Sequence, residues 1–133
     1  MKIICDTHAL IYYADGADRL STTAKAWIEK GKQNKQLACS DISLWEIGML
    51  LNKGRLNQYY GSGIEDYISD IIDALHLTVL PITPRIAELA QSSEFMHGDP
   101  ADRIIAATAI AHNATLITAD GKLQQIKSLN WVW

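Results

Sequence analysis

Four carboxylates, Asp6, Glu46, Asp102 and Asp120, occupy positions that chemistry can use. Asp6 follows directly on the apolar, β-branched run "KIIC", and Asp120 closes the strand-like run "TLITAD" with Gly121 behind it. In an open α/β sheet, ligands gather outside the carboxyl ends of the strands, where both residues would fall. Glu46 lies on a helical stripe otherwise made of Ile42, Met49 and Leu50. A charge on such a stripe is costly unless it is paired or coordinates a metal. Asp102 opens the apolar run of "HGDPADRIIAATA", three residues after Asp99 with Pro100 between them.

Each acid also has an ordinary structural use. Asp6 suits the N-cap of the following "THALIYYA". Asp99 reads as an N-cap, Pro100 as the first helical position and Asp102 as an acid favoured by the helix dipole. Asp120–Gly121 is a turn signal, and Glu46 at the edge of a core can reach water. Taken together, the four change the balance. Carboxylates brought to one sheet edge repel each other, and raised pKa values or a bound cation relieve that repulsion. Hard oxygen ligands suit Mg²⁺ or Mn²⁺. Such an ion, or a pair of them, can activate a water and stabilise the leaving oxygen of a phosphodiester. No Ser-His-Asp order, phosphate-cradling glycine loop or zinc-ligand spacing competes with this chemistry.

The elements that must position these acids alternate. "KIIC", "LACS", "TVLPI", "TLIT" and the final "WVW" read as short strands, with Pro81 marking a strand end or a sheet edge. Helical patterns fill the gaps. "STTAKAWIEKGK" breaks near Gly31, "SDISLWEIGMLLNKG" stops at Gly54, and "GIEDYISDIIDALH" carries apolar residues at helical spacing. "TPRIAELAQSSEFM" and "DPADRIIAATAIAHN" each place proline at the first helical position. Alternation of this kind predicts a parallel sheet with helices on both faces. Asn52 to Gly63 is the one loop-like stretch.

The 133 residues, with 48% hydrophobic and 20% charged side chains, suit one soluble domain over 1–133. Apolar runs fall well short of the roughly 18 residues that span a bilayer. The opening "MKIICDTHAL" lacks the pattern of a signal peptide, so a cytoplasmic protein is expected. Cys5 and Cys39, each inside a strand-like run, read as buried reduced thiols. A net charge of −3 argues against a broad basic surface for nucleic acid, although it permits an enzyme that meets phosphate through a metal ion.

"CDTHALIYYA", "SDISLWEIGMLL", "TVLPIT", "HGDPADRIIAATA" and "LITAD" occur in the order found in PIN-domain ribonucleases, and the chain resembles the VapC-type toxins among them. The resemblance implies a three-layer α/β/α sandwich around a mainly parallel five-stranded sheet, and a homodimer. It implies Mg²⁺- or Mn²⁺-dependent endoribonuclease activity on an RNA substrate, restrained by a cognate antitoxin protein. By motif, Asp6, Glu46, Asp102 and Asp120 fall on the family's acidic quartet, with Asp6 and Asp102 as the foremost metal ligands. Thr7 and Thr118 would orient carboxylate or water, while Asp99 matches a recurrent acid read here as the helix cap. Relatives often carry a basic residue where Gly98 stands, which leaves no phosphate contact from that position.

Arg103 beside the site is a candidate phosphate contact, against the ordinary reading of a solvated helix arginine. His8 and His97 flank the motifs as candidate bases that a two-metal mechanism does not require. Lys53, Arg55, Tyr59 and Tyr60 mix cations and aromatics suited to RNA or to the antitoxin, or form a plain solvated loop. Trp131 and Trp133 read as packing. Two other functions stay open. A catalytically inactive PIN fold would serve as a binding module. A metal-dependent phosphatase would use Asp6 as nucleophile, but it calls for a second Asp where His8 stands.

Overall fold

Ile3–Cys5 forms β1, whose alternate side chains enter two different cores. In a computed structural model describing residues 2–54, 63–95 and 98–133, β1 lies at the centre of a five-stranded, all-parallel sheet. Its neighbours are β2 (Leu37–Ser40) and β4 (Thr115–Ile117), with β3 (Thr78–Leu80) and β5 (Asn130–Val132) at the edges. Ile3 pairs with both Leu37 and Thr115, and Cys5 with Ile117. Pro81 directly follows edge strand β3, where its missing N–H costs no ladder bond.

The period of two along each strand separates the layers. Ile3, Cys5, Leu37, Cys39 and Ile117 pack under α1 (Thr7–Asp15), α2 (Thr22–Gln33), α3 (Asp41–Asn52) and α4 (Ile64–Leu75). Ile4, Ala38, Leu80 and Leu116 pack against α5 (Pro84–Leu89), α6 (Pro100–Ala111) and α7 (Gly121–Gln124) on the other face. The two cysteines are free and buried, and desolvation raises both thiols, Cys39 to about 12. Thiols so protonated are unreactive packing groups. Among the described residues, no helix is long and apolar enough to cross a membrane.

One helix runs further than its sequence suggests. Gly31 does not end α2 but lies inside it, buried, and a Cβ there would come within 2.5 Å of Leu37 Cδ2. Its glycine serves close approach to the sheet rather than termination.

The strand order β3-β2-β1-β4-β5 defines where a site can form. The chain moves outward from β1 to β3, then returns to place β4 on the other side of β1. Connections therefore diverge between β1 and β4 and open a crevice at their carboxyl ends. Asp6 follows β1, Ser40 and Asp41 end β2 and begin α3, and Thr118 follows β4.

Candidate metal centre

Asp6 occupies that crevice and is only 4% exposed. It caps α1, with Oδ1 accepting from the Thr7 N–H at 2.7 Å, and Oδ2 accepts from the Thr118 hydroxyl at 2.6 Å. The Thr118 hydroxyl also accepts from the Asp120 N–H at 3.1 Å, tying the end of β4 to the end of β1. Thr7 Oγ1 lies 2.6 Å from Glu46 Oε1 and 2.9 Å from the buried Ser43 hydroxyl. A hydroxyl has one proton, so the carboxylate takes that of Thr7 and Ser43 donates to Thr7 in turn. Capping and site-building are thus the same act for Asp6. The hydroxyls of Thr7 and Thr118 fix the orientation of two carboxylates in two different elements.

Glu46, half-buried on α3, faces the start of α6. There Asp99 caps the helix, accepting from the Ala101 N–H at 2.9 Å, and Asp102 stands in the first turn. One carboxylate oxygen from each of Glu46, Asp99 and Asp102 lies within 4.8 Å of the others. The donors are all hard oxygens, which fits Mg²⁺ or Mn²⁺ and not a thiolate- or imidazole-preferring ion. Asp120 caps α7 through the Lys122 and Leu123 N–H groups at 2.8 and 3.3 Å, and its charge is close enough to act on Asp6.

The electrostatics record this convergence. Burial pushes the Asp6 carboxyl up, opposed by the Thr118 hydrogen bond and the nearby His8, with Asp120 raising it further. Burial also raises Glu46, Thr7 lowers it, and the charges of Asp99 and Asp6 raise it again. The crevice therefore holds like charges at a cost, which a bound cation would relieve.

Glu46→Gln keeps an Oε1 acceptor for Thr7 and removes one of these charges. In metal-free protein at pH 7 it is expected to stabilise the fold by about 1 kcal/mol, a modest figure because the side chain is half exposed and screened. A carboxyl raised in the folded state contributes favourably below its unfolded pKa, and that contribution is lost as pH rises through the folded value. The advantage of the variant therefore shrinks as pH falls through the glutamate range. Urea titrations at pH 7 and pH 4 in chelator read it directly, and a variant weaker than the parent at pH 7 would remove the repulsion argument.

The other sequence-expected residues are distributed differently. Arg103, half-buried, turns its guanidinium towards the main chain. Nε, Nη1 and Nη2 donate to the carbonyls of Ala90, Phe95 and Ser92 at 2.8, 2.6 and 3.0 Å, and the group lies over the Phe95 ring. Arg103 thus clamps the segment leading into α6, a use that neither the phosphate-contact nor the solvated-arginine reading contained. Lys53 caps the far end of α3, exposed and seven residues past Glu46. Arg55, Tyr59, Tyr60 and His97 lie outside the described residues. His8 is exposed at the first turn of α1, near both Asp6 and Glu46.

Two participants go beyond the sequence reading. Asp99 was expected to cap the helix beside the site and not to ligate, yet it caps and also joins the carboxylate group. Its spacing of three from Asp102, one helical turn, is the signal for the shared face. Ser43, three residues before Glu46, backs the Thr7 hydroxyl, and nothing in its local pattern marks it.

A parallel sheet with acids gathered at the divergence of its strands defines the class, and comparison with known proteins identifies the family. The PIN domain model matches residues 3–129, and the chain belongs to the PIN domain family. The chain is 32% identical over 124 residues to Ribonuclease VapC22 of Mycobacterium tuberculosis, covering 92% of this chain and 89% of that one. Its fold is similar to that in a crystal structure of VapBC2 from Rickettsia felis bound to a DNA fragment from the promoter. That match has a TM-score of 0.75 and 19% identity, covering 99% of this chain and 98% of the other. A toxin–antitoxin complex from Klebsiella pneumoniae matches with a TM-score of 0.66 and 22% identity over 99% and 97%.

Proposed function

We propose that this protein is a divalent-metal-dependent endoribonuclease and the toxin of a toxin–antitoxin pair, acting in the cytoplasm. The observation that carries the proposal is the approach of Glu46, Asp99 and Asp102 to within 4.8 Å, beside an Asp6 oriented by two hydroxyl-bearing neighbours. Asp6, Glu46, Asp102 and Asp120 would hold the cation, joined by Asp99, which shares one space with Glu46 and Asp102. When bound, Mg²⁺ or Mn²⁺ supplies Lewis-acid stabilisation of developing charge and a more acidic water. Thr7 holds the Glu46 carboxylate in one orientation, and Thr118 does the same for Asp6. Without a cation the acidic wall repels a phosphodiester, so substrate binding and metal binding are coupled. In-line attack of water on phosphorus with departure of the 3′-oxygen leaves a 5′-phosphate and a 3′-hydroxyl.

The toxin role rests on similarity to the VapC ribonuclease and to structures described as toxin–antitoxin complexes. A cognate antitoxin and a second copy of the chain are the proposed partners. Trp45, 62% exposed on α3, with Ile64 and Ile82, supplies apolar surface that a partner would bury.

The test is incubation with a panel of structured RNAs under titrated Mg²⁺ or Mn²⁺. Cleavage is expected only with the cation, to be abolished by chelator, and to leave 5′-phosphate ends. Undiminished cutting in chelator, or cyclic phosphate ends, would overturn the mechanism.

A further inference from the structure

We infer that the cavity beside the acidic crevice, walled by His8, Tyr12 and Trp133, is a nucleobase pocket that seats one unpaired base flanking the scissile phosphate. The inference rests on the endoribonuclease reading and adds to it how a substrate is positioned. The cavity measures about 240 Å³ and is lined by His8, Ala9 and Tyr12 of α1, Ala119 and Asp120 after β4, and Trp133 after β5. That is below the roughly 300–1,000 Å³ of drug-sized sites and suits a single planar ring system. His8 and Tyr12 are four residues apart and therefore share one face of α1.

The rings do not stack on one another. His8 and Tyr12 stand 6.0 Å apart at 56°, and Tyr12 and Trp133 stand 6.3 Å apart at 64°. Rings tilted in this way line a corner in which a flat guest can lie on one face and meet another ring at its edge. Arg19 lies over the Tyr12 ring at 5.6 Å, fixing that ring and placing a cation near the cavity for a neighbouring phosphate.

What selects a base over another flat guest is continuity with the acids. Asp120 is a wall of the cavity whose N–H donates to the Thr118 hydroxyl that in turn holds Asp6, while His8, another wall, follows Asp6 by two residues in the first turn of α1. A guest in the corner is thus within reach of a phosphodiester at the carboxylates. Recognition of RNA usually targets unstacked bases laid against aromatic side chains, each contributing about 1–3 kcal/mol. In a chain of net charge −3, stacking supplies the attraction that a basic groove would give elsewhere.

The experiment uses a single-stranded oligoribonucleotide that the parent protein cuts once with Mg²⁺, selected from a randomised pool. A series then carries one abasic residue at each position near the cut. Loss of the base at one position is expected to raise KM by about tenfold or more, with the Mg²⁺ requirement and the product ends unchanged. Trp133→Leu, and independently Tyr12→Leu, is expected to raise KM for the intact substrate similarly and to make the abasic substitution at that position nearly costless. Trp133→Phe, which retains a ring, should recover most of the loss, separating stacking from altered folding.

A flat abasic series on a substrate that is still cut overturns the pocket and leaves the nuclease reading standing. The same holds if the losses from variant and abasic substrate multiply independently. A Trp133→Leu protein with parental KM but weakened antitoxin binding also overturns it, by assigning the corner to a peptide side chain. Failure of the parent to cut any member of the pool with Mg²⁺ or Mn²⁺ overturns both.

Discussion

Asp102→Asn is expected to lower metal-dependent RNA cleavage by about a thousandfold while leaving the protein folded. The carboxylates of Glu46, Asp99 and Asp102 share one space, and an amide in place of one keeps shape and loses charge. A cation bound by fewer charged oxygens is held more weakly and supplies less stabilisation to the phosphodiester. Raising Mg²⁺ should recover only part of the activity. Asp99→Asn makes the companion test, because asparagine caps a helix as well as aspartate does. It preserves the acceptor for the Ala101 N–H and so separates the two tasks of Asp99. Activity should fall with little change in thermal midpoint. Asp99→Ala should lose activity and also about 1 kcal/mol of stability with the cap. Cleavage rates, Mg²⁺ titrations and circular dichroism melts check all three. Parental cutting by a folded Asp102→Asn protein would remove the metal-centre reading.

The layers were legible because alternation in short apolar runs is a local property. Ile3 and Ile4 belong to opposite cores for the same reason that any adjacent strand residues do. The caps at Asp6 and Asp99 were equally readable, since a cap is decided within three residues. Less visible was anything decided by a distant neighbour. Gly31 looks like a helix end until Leu37 of the adjacent strand is seen to fill the space a side chain would need. "TPRIAELAQSSEFM" reads as one helix, but α5 ends at Leu89 and the chain turns through Ser92. The capping and site-building readings of the acids were treated as rivals, yet they are compatible. An N-cap uses one oxygen of a carboxylate, and the other can face a crevice. Asp6 and Asp99 exploit this, and no count of local propensities could have chosen between the two uses.

Arg103→Met is expected to destabilise the protein by about 3 kcal/mol, because it withdraws a charged partner from three main-chain carbonyls at once. Methionine keeps much of the apolar stem, so the loss reports the guanidinium rather than a cavity. The carbonyls of Ala90, Ser92 and Phe95 belong to the turn after α5, where Ser92 also accepts from the Phe95 N–H at 3.2 Å. Glu94 in the same stretch accepts from Ser128 N–H and Oγ at 3.0 and 2.5 Å, anchoring it from the other side. For a chain of this size, the loss corresponds to roughly 10 °C in thermal midpoint. Arg103→Lys should recover little of it, since one ammonium cannot reproduce a planar fork spanning three acceptors. The same segment leads into the Asp99 cap and the Asp102 turn, so its loosening should reach the carboxylates. At temperatures where Arg103→Met remains folded, RNA cleavage is expected to fall about tenfold, the scale of losing a group that positions metal ligands. Urea titration together with cleavage rates checks both parts. A variant within about 0.5 kcal/mol of the parent would mean that water satisfies these carbonyls and that the clamp contributes no stability.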